Sequence, residues 1–125
     1  MHENEIATKV LDICFDIHRK LGPGLLESVY EEILCYELAK RGIPFERQKA
    51  VPVYWDGVKM GVGFRADVIV AGNVIVELKS VENMSPVFPK VVLTYLKITG
   101  LKLGLLINFH EKLLKDGISR IANNL

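Results

Sequence analysis

The sequence predicts an α/β (α+β) domain with elements in the order αα-βββ-α-β. Two stretches with apolar residues at three- and four-residue steps open the chain. Alternating and continuous apolar runs, punctuated by Asp56-Gly57 and Ala71-Gly72-Asn73, follow them, and one more helical stretch precedes a last apolar strand. At 125 residues, 50% hydrophobic and 25% charged, the chain has the size and composition of a single globular domain spanning 1–125.

Ile6, Val10, Ile13, Cys14, Ile17 and Leu21 recur at helical spacing, so residues 4–20 read as an amphipathic packing helix ended by Gly22-Pro23-Gly24. His18, near its end, is expected at the surface or as a cap. A second helix over 25–41 carries the stripe Leu26, Val29, Tyr30, Ile33, Leu34 and Leu38 and closes at Gly42. Glu27 lies about 20° from Leu34 around that helix, which turns it toward the interior side. Glu31, Glu32 and Glu37 are expected to face solvent or to charge the first turn.

Phe45 to Tyr54 has strand character, and Asp56-Gly57 is a strong hairpin turn into a strand from Val58 to Val70, with a bulge or bend at Gly61 and Gly63. The next strand runs from Asn73 to Ser80. A helix from Pro86 to Thr99 stops at Gly100, and Leu103 to Asn108 is continuously apolar, as in a buried sheet position. Beyond residue 109, Asp116-Gly117 marks a turn, and Ile118 to Ala122 reads equally as a short strand or a helical turn.

Chemistry concentrates in FRADVIV and NVIVELKS, where two acids and a base interrupt apolar runs. Alternation places Ile75, Glu77 and Lys79 on one face, and groups Arg65, Asp67 and Ile69 against Phe64, Ala66, Val68 and Val70. A three-residue loop, favoured because Asn73 tolerates a left-handed conformation, would pair Val70 with Val74. It would set Asp67 opposite Glu77 and Arg65 opposite Lys79 on a shared face. Two half-buried carboxylates repel unless a cation or a proton is shared between them. Oxygen ligands of this kind suit Mg²⁺ or Mn²⁺, and Lys79 could orient or deprotonate an attacking water or neutralise developing charge. The alternative is an ordinary ion pair on a solvated hairpin face.

Several function classes are disfavoured. The polar N-terminus and short apolar runs show no signal peptide or membrane span, which makes a cytoplasmic setting the expectation. Cys14 and Cys35 have neither CxxC nor Cys/His spacing and read as reduced core thiols. A net charge of +1 argues against strong nonspecific nucleic-acid binding over the whole surface. Lys102, Lys112, Lys115 and Arg120 read as solvated surface.

LGPGLLESVYEEIL, with GFRADVIV, VIVELKS, LTYLKITG and LGLLINF, resembles the GxxExxY protein family, a branch of the PD-(D/E)XK nuclease-like superfamily. The naming motif stands as Gly24, Glu27 and Tyr30, and the likeness covers nearly the whole chain. The resemblance implies a restriction-endonuclease-like mixed sheet flanked by helices and metal-dependent phosphodiester hydrolysis in DNA or RNA. By that likeness Asp67, Glu77, the Leu78 carbonyl and Glu27 would ligate Mg²⁺ or Mn²⁺, and Lys79 would act on the attacking water. Arg65, Tyr30 and Tyr95 would position substrate, although the tyrosines read equally as core-edge aromatics and Glu27 as a charge on its helix's first turn. The family often has Gln where Val91 stands, and Pro89 falls where its helix is usually under way; these departures imply lost substrate positioning or a helix that begins later than in relatives, with activity reduced or absent. The second reading is therefore a catalytically weak or inactive nuclease-fold module that binds nucleic acid or a protein partner. A homodimer would widen so small a domain's grip on a duplex.

Overall fold

The computed structural model describes residues 1–125. Helix α1 (Glu3–Leu21) starts with a capping box: His2 Nδ1 accepts from the Asn4 N–H while Glu5 reaches back to the His2 N–H. It ends at Gly22, whose φ of 77° only glycine adopts freely. Helix α2 (Glu27–Lys40) begins two residues later than expected and terminates before Gly42. No helix is long and apolar enough to cross a membrane.

Seven strands follow: β1 (Phe45–Val51), β2 (Tyr54–Trp55), β3 (Val58–Lys59), β4 (Phe64–Val70), β5 (Val74–Lys79), β6 (Leu103–Asn108) and β7 (Ile118–Ala122). The expected long strands on either side of Asp56-Gly57 are therefore each broken. β2 and β3 form a separate two-stranded hairpin, and the main sheet has the order β1-β4-β5-β6-β7. All its neighbours are antiparallel except β5 and β6, which are joined through helix α3 (Val87–Thr99) and run parallel. Such a link needs a crossover, and α3 supplies it. Pro89 sits in the first turn of α3, where its missing N–H would have had no helical partner. The undecided tail resolves into a 3₁₀ turn over Leu114–Gly117 and the edge strand β7.

The sheet has one thick side and one thin side. Helices α1 and α2 pack with Val68, Val70, Val74, Val76, Leu78, Leu103, Leu105 and Ile107 in a core of 21 buried residues. Ala66, Ile69, Ile75 and Leu96 form the smaller core under α3. There α3 lies so close to β6 that a Cβ on Gly104 would come within 2.5 Å of Val92 Cγ1. Cys14 and Cys35 are free and buried, and burial pushes the Cys35 thiol up to about 11 and Cys14 higher still. His18, expected at the surface, is instead buried beside Phe109, with Nε2 2.8 Å from the Glu111 carbonyl.

Candidate active site

The β4–β5 loop pairs Val70 with Val74, as its three-residue length requires. The left-handed residues are Ala71 (φ 52°) and Gly72 (φ 68°), not Asn73, whose N–H instead closes the turn onto the Val70 carbonyl. Backbone pairing runs back only as far as Val68 and Val76. There two side chains take over. The Asp67 N–H donates to Glu77 Oε2 at 3.1 Å, and the Leu78 N–H donates to Asp67 Oδ2 at 3.0 Å. Each carboxylate thus fills a place that a carbonyl would hold in a continued ladder, and the two acids are brought together at the mouth of the ribbon.

Alternation also fails at this point. Phe64 and Ala66 belong to the core under α3, whereas Val68 and Val70 belong to the core under α1 and α2, so the faces exchange across Asp67. On β1, directly opposite, Phe45 packs under the two helices while Val51 packs under α3. Between them stands Gln48, with φ 50°, the left-handed region that costs a non-glycine residue about 1–2 kcal/mol. The four residues predicted to share one face are therefore divided. Arg65 does not meet Lys79; it is exposed, and its Nη1 donates to the Gln48 carbonyl at 2.7 Å.

Glu31, expected in solvent, is buried at 5% exposure and accepts from Arg47 Nε at 2.6 Å and Gln48 Nε2 at 2.7 Å. The same Gln48 amide lies 3.5 Å from Asp67 Oδ1. A polar chain thus runs from α2 through β1 to the first acid. Sequence patterning gave no warning of Gln48, because glutamine is not a residue that advertises a left-handed turn. Glu31 lies three and four residues before the buried Leu34 and Cys35, a helical position that turns it toward the interior side.

Glu77 is 8% exposed, and burial first, then the Asp67 charge, push its carboxyl up to about 9. Lys79 opposes that shift and lies over the Phe88 ring at 4.4 Å from the centroid. A cleft of about 50 Å³ brings Glu77 and Lys79 together with Phe88, Val91, Val92, Tyr95 and Leu106. Val91 offers this cleft no polar group. Burial and the nearby Glu77 and Asp67 charges raise the Tyr95 phenol above its usual range. Its ring stacks on Phe64 at 3.9 Å and 7°.

The two remaining candidates go elsewhere. Glu27 is exposed at the start of α2 and accepts from the Ser80 N–H at 3.3 Å, so it ties the helix to the end of β5 without joining the acidic pair. No three His, Cys, Asp or Glu side chains converge at metal-ligating distances. Tyr30 is fully buried, stacked on Phe109 at 4.2 Å, with its hydroxyl donating to the Gly22 carbonyl and accepting from the Leu25 N–H. Its surroundings are those of a core residue that fixes the α1–α2 bend.

A mixed five-stranded sheet between helices, with an Asp and an E-x-K strand meeting where two central strands part, has the architecture of a restriction-endonuclease-like fold. A family model for the PD-(D/E)XK nuclease superfamily matches residues 4–121, and the chain belongs to that superfamily. Comparison with curated proteins and with solved structures gives no match. Membership of the narrower GxxExxY branch rests on the motif resemblance alone.

Proposed function

We propose that the protein is a metal-dependent nuclease that hydrolyses phosphodiester bonds in DNA or RNA. The observation that carries this reading is the reciprocal hooking of Asp67 and Glu77 across the open end of β4 and β5, with Lys79 one step along the same face as Glu77. The donor set fits a hard cation: both groups are carboxylates, and burial makes their joint ionisation unfavourable until a positive charge arrives. Asp67 and Glu77 would hold Mg²⁺ or Mn²⁺, with the Leu78 carbonyl as a third oxygen. The ion would supply charge neutralisation at the scissile phosphate and a more acidic water.

The chain's own groups do the rest. Glu77 must lose its proton before it can act as a ligand, which ties binding of the ion to pH. Lys79, steered by Phe88, orients the attacking water or offsets charge building on the phosphate. Arg65, exposed two residues before Asp67, reaches a neighbouring phosphate, and Tyr95 sets the wall of the cleft. Glu27 enters this scheme only as the brace that holds Ser80 and the end of β5.

Purified protein incubated with plasmid, single-stranded DNA and RNA, with Mg²⁺ or Mn²⁺ and then with chelator, should give cleavage that Asp67→Ala abolishes. Cleavage equal in the two proteins would remove the enzyme reading. One observation favours the second reading, a nuclease fold that binds nucleic acid or a protein partner with weak or no turnover. Only two carboxylates converge, and Val91 offers the cleft no amide. Under that reading Lys79→Ala keeps partner affinity, and neither form turns over; under the first, Lys79→Ala loses turnover while the fold is unchanged.

A further inference from the structure

We propose that the outer face of α2 is the seam of a homodimer, in which α2 packs antiparallel on α2 of a second copy and Leu26 and Val29 meet the partner's Tyr36 and the partner's Ile33. The pairing goes beyond the reaction proposed above and does not depend on it.

Helix α2 is apolar on two sides. It buries Tyr30, Leu34, Cys35 and Leu38 in the large core. At about 100° per residue, Leu26, Val29, Ile33 and Tyr36 fall within an arc of about 80°, centred about 145° away from that buried side. On this arc Leu26 is 74% exposed, Tyr36 67% and Val29 37%, while Ile33 is partly buried. A helix that packs on one face alone carries polar residues on the other, and α2 does not.

Steps of three, four and three residues are those of the a and d positions of a coiled coil, a seam that another helix fills. The seam also complements itself. Positions 26 and 36, and positions 29 and 33, are equally spaced about position 31, so a two-fold axis at that level lays Leu26 on the partner's Tyr36 at each end and Val29 on the partner's Ile33 on each side of the centre. None of the four is charged. Glu32, exposed beside the seam, comes near its own copy, a like-charge contact that costs about twofold in affinity at a solvated rim. Antiparallel packing sets the two helix dipoles in opposition, the favourable order for neighbours.

Area and charge select a second copy as the occupant. A covered aromatic side chain buries roughly 150–250 Å², so Tyr36 and Leu26 on both copies, with Val29, Ile33 and the aliphatic stems of Glu32 and Lys40, reach the ~1,000 Å² that a specific interface needs. That is the low end of the range, and it corresponds to a reversible dimer with a Kd on the order of 10 µM. Anionic lipid and nucleic acid would require cations along the stripe. The charge beside its centre is Glu32, and Lys40 and Arg41 beyond its end both pair with Glu37. The dimer also relates the two candidate active sites. Leu26 adjoins Glu27, which braces Ser80, and the two Glu27 residues come about 12 Å apart along the helix axes.

Sedimentation velocity of the full chain over a range of concentrations should show monomer and dimer in exchange. Leu26 is the N-cap of α2 and makes no side-chain cap bond, so Leu26→Asp supplies a better cap while placing a charge in the seam. It should weaken the dimer at least about tenfold with helix content unchanged by circular dichroism. Tyr36→Lys, toward the end of the helix where a cation is tolerated, should do the same. The double variant sets opposite charges against each other at both ends of an antiparallel seam, and it should regain part of the association that each single variant loses. Trp55→Ala removes an aromatic group of similar exposure away from α2, and should leave the Kd unchanged. A chain that stays monomeric at concentrations about fifty times the expected Kd overturns the proposal. So does a dimer that survives Leu26→Asp or that Trp55→Ala dissolves, and so does a double variant as monomeric as the single ones. A monomer that uses Leu26 and Tyr36 to bind phosphatidylcholine vesicles or oligothymidylate gives the stripe to another occupant and overturns it as well.

Discussion

The two halves of the β4–β5 ribbon are built from the same pair of strands and do different work. Toward the loop, Val68–Val70 pairs residue for residue with Val74–Val76, and all six side chains are buried in the two cores. Toward the mouth, the ladder stops, two carboxylates take the places of carbonyls, and the faces exchange at Asp67. The apolar half fixes register, because a one-residue slip would move the valines of the large core to the α3 side and the isoleucines of the α3 side into the large core, and neither core is shaped for the exchange. The polar half inherits that register, and this is what allows two mutually repelling acids to stand together without stabilising themselves.

Adjacent residues on β5 offer the sharpest way to break the contrast. Val76 and Glu77 are both buried, yet an acid at 76 would have no backbone N–H to accept from and no cation beside it. Val76→Asp should cost about 5 kcal/mol, most of the stability of a small domain, and leave no cooperative transition in thermal or urea unfolding. A folded Val76→Asp protein would show that the apolar half does not set the register.

Glu77→Gln keeps an acceptor for the Asp67 N–H and removes the charge, so the fold should persist while turnover falls about 10²–10³-fold. Its effect on stability depends on pH. The folded Glu77 carboxyl titrates near 9 against an ordinary 4.5, so between those values the folded state binds more protons than the unfolded. Without metal, stability is therefore greatest at the acid end of that window and falls as pH rises toward 9. Wild-type melting in EDTA should drop by at least about 4 °C between pH 5.5 and pH 9, and Glu77→Gln should remove most of the drop. Mn²⁺ should reverse it, with a stabilisation that grows as pH rises because the ion competes with the proton. A flat wild-type profile would mean that Glu77 is ionised throughout.

The element order, the loop length and the pairing of Val70 with Val74 were legible because apolar periodicity and loop parity fix them locally. The acidic pair was legible too, since Asp67 and Glu77 break apolar runs that would otherwise be uninterrupted. Their geometry was not. Alternation extrapolated through Asp67 assumes an unbroken pleat, and the exchange of faces depends on Gln48, nineteen positions earlier in the chain and on another strand. Glu27 and Glu31 were misjudged for a related reason. Angular position on a helix says which side a residue faces, but only the packed β1 strand, bringing Arg47 and Gln48, decides which acid is buried.

Gln48 gives the smallest effect and the finest resolution of the contrast, because backbone and side chain can be separated there. Ordinarily alanine is more stable than glycine in a strand by about 0.5–1 kcal/mol, since glycine loses more freedom on folding. Lys49, exposed on the same strand and without a positive φ, should follow that order. At Gln48 both replacements lose the amide contacts to Glu31 and Asp67, and only glycine relieves the left-handed backbone. Gln48→Gly should therefore exceed Gln48→Ala by about 1 kcal/mol in urea unfolding, an inversion of the order at Lys49. Both Gln48 variants should bind Mn²⁺ more weakly than wild type, since each frees Asp67 Oδ1 and removes the link to α2. If alanine and glycine rank the same way at 48 and 49, the exchange of faces at Asp67 does not depend on a strained turn in β1.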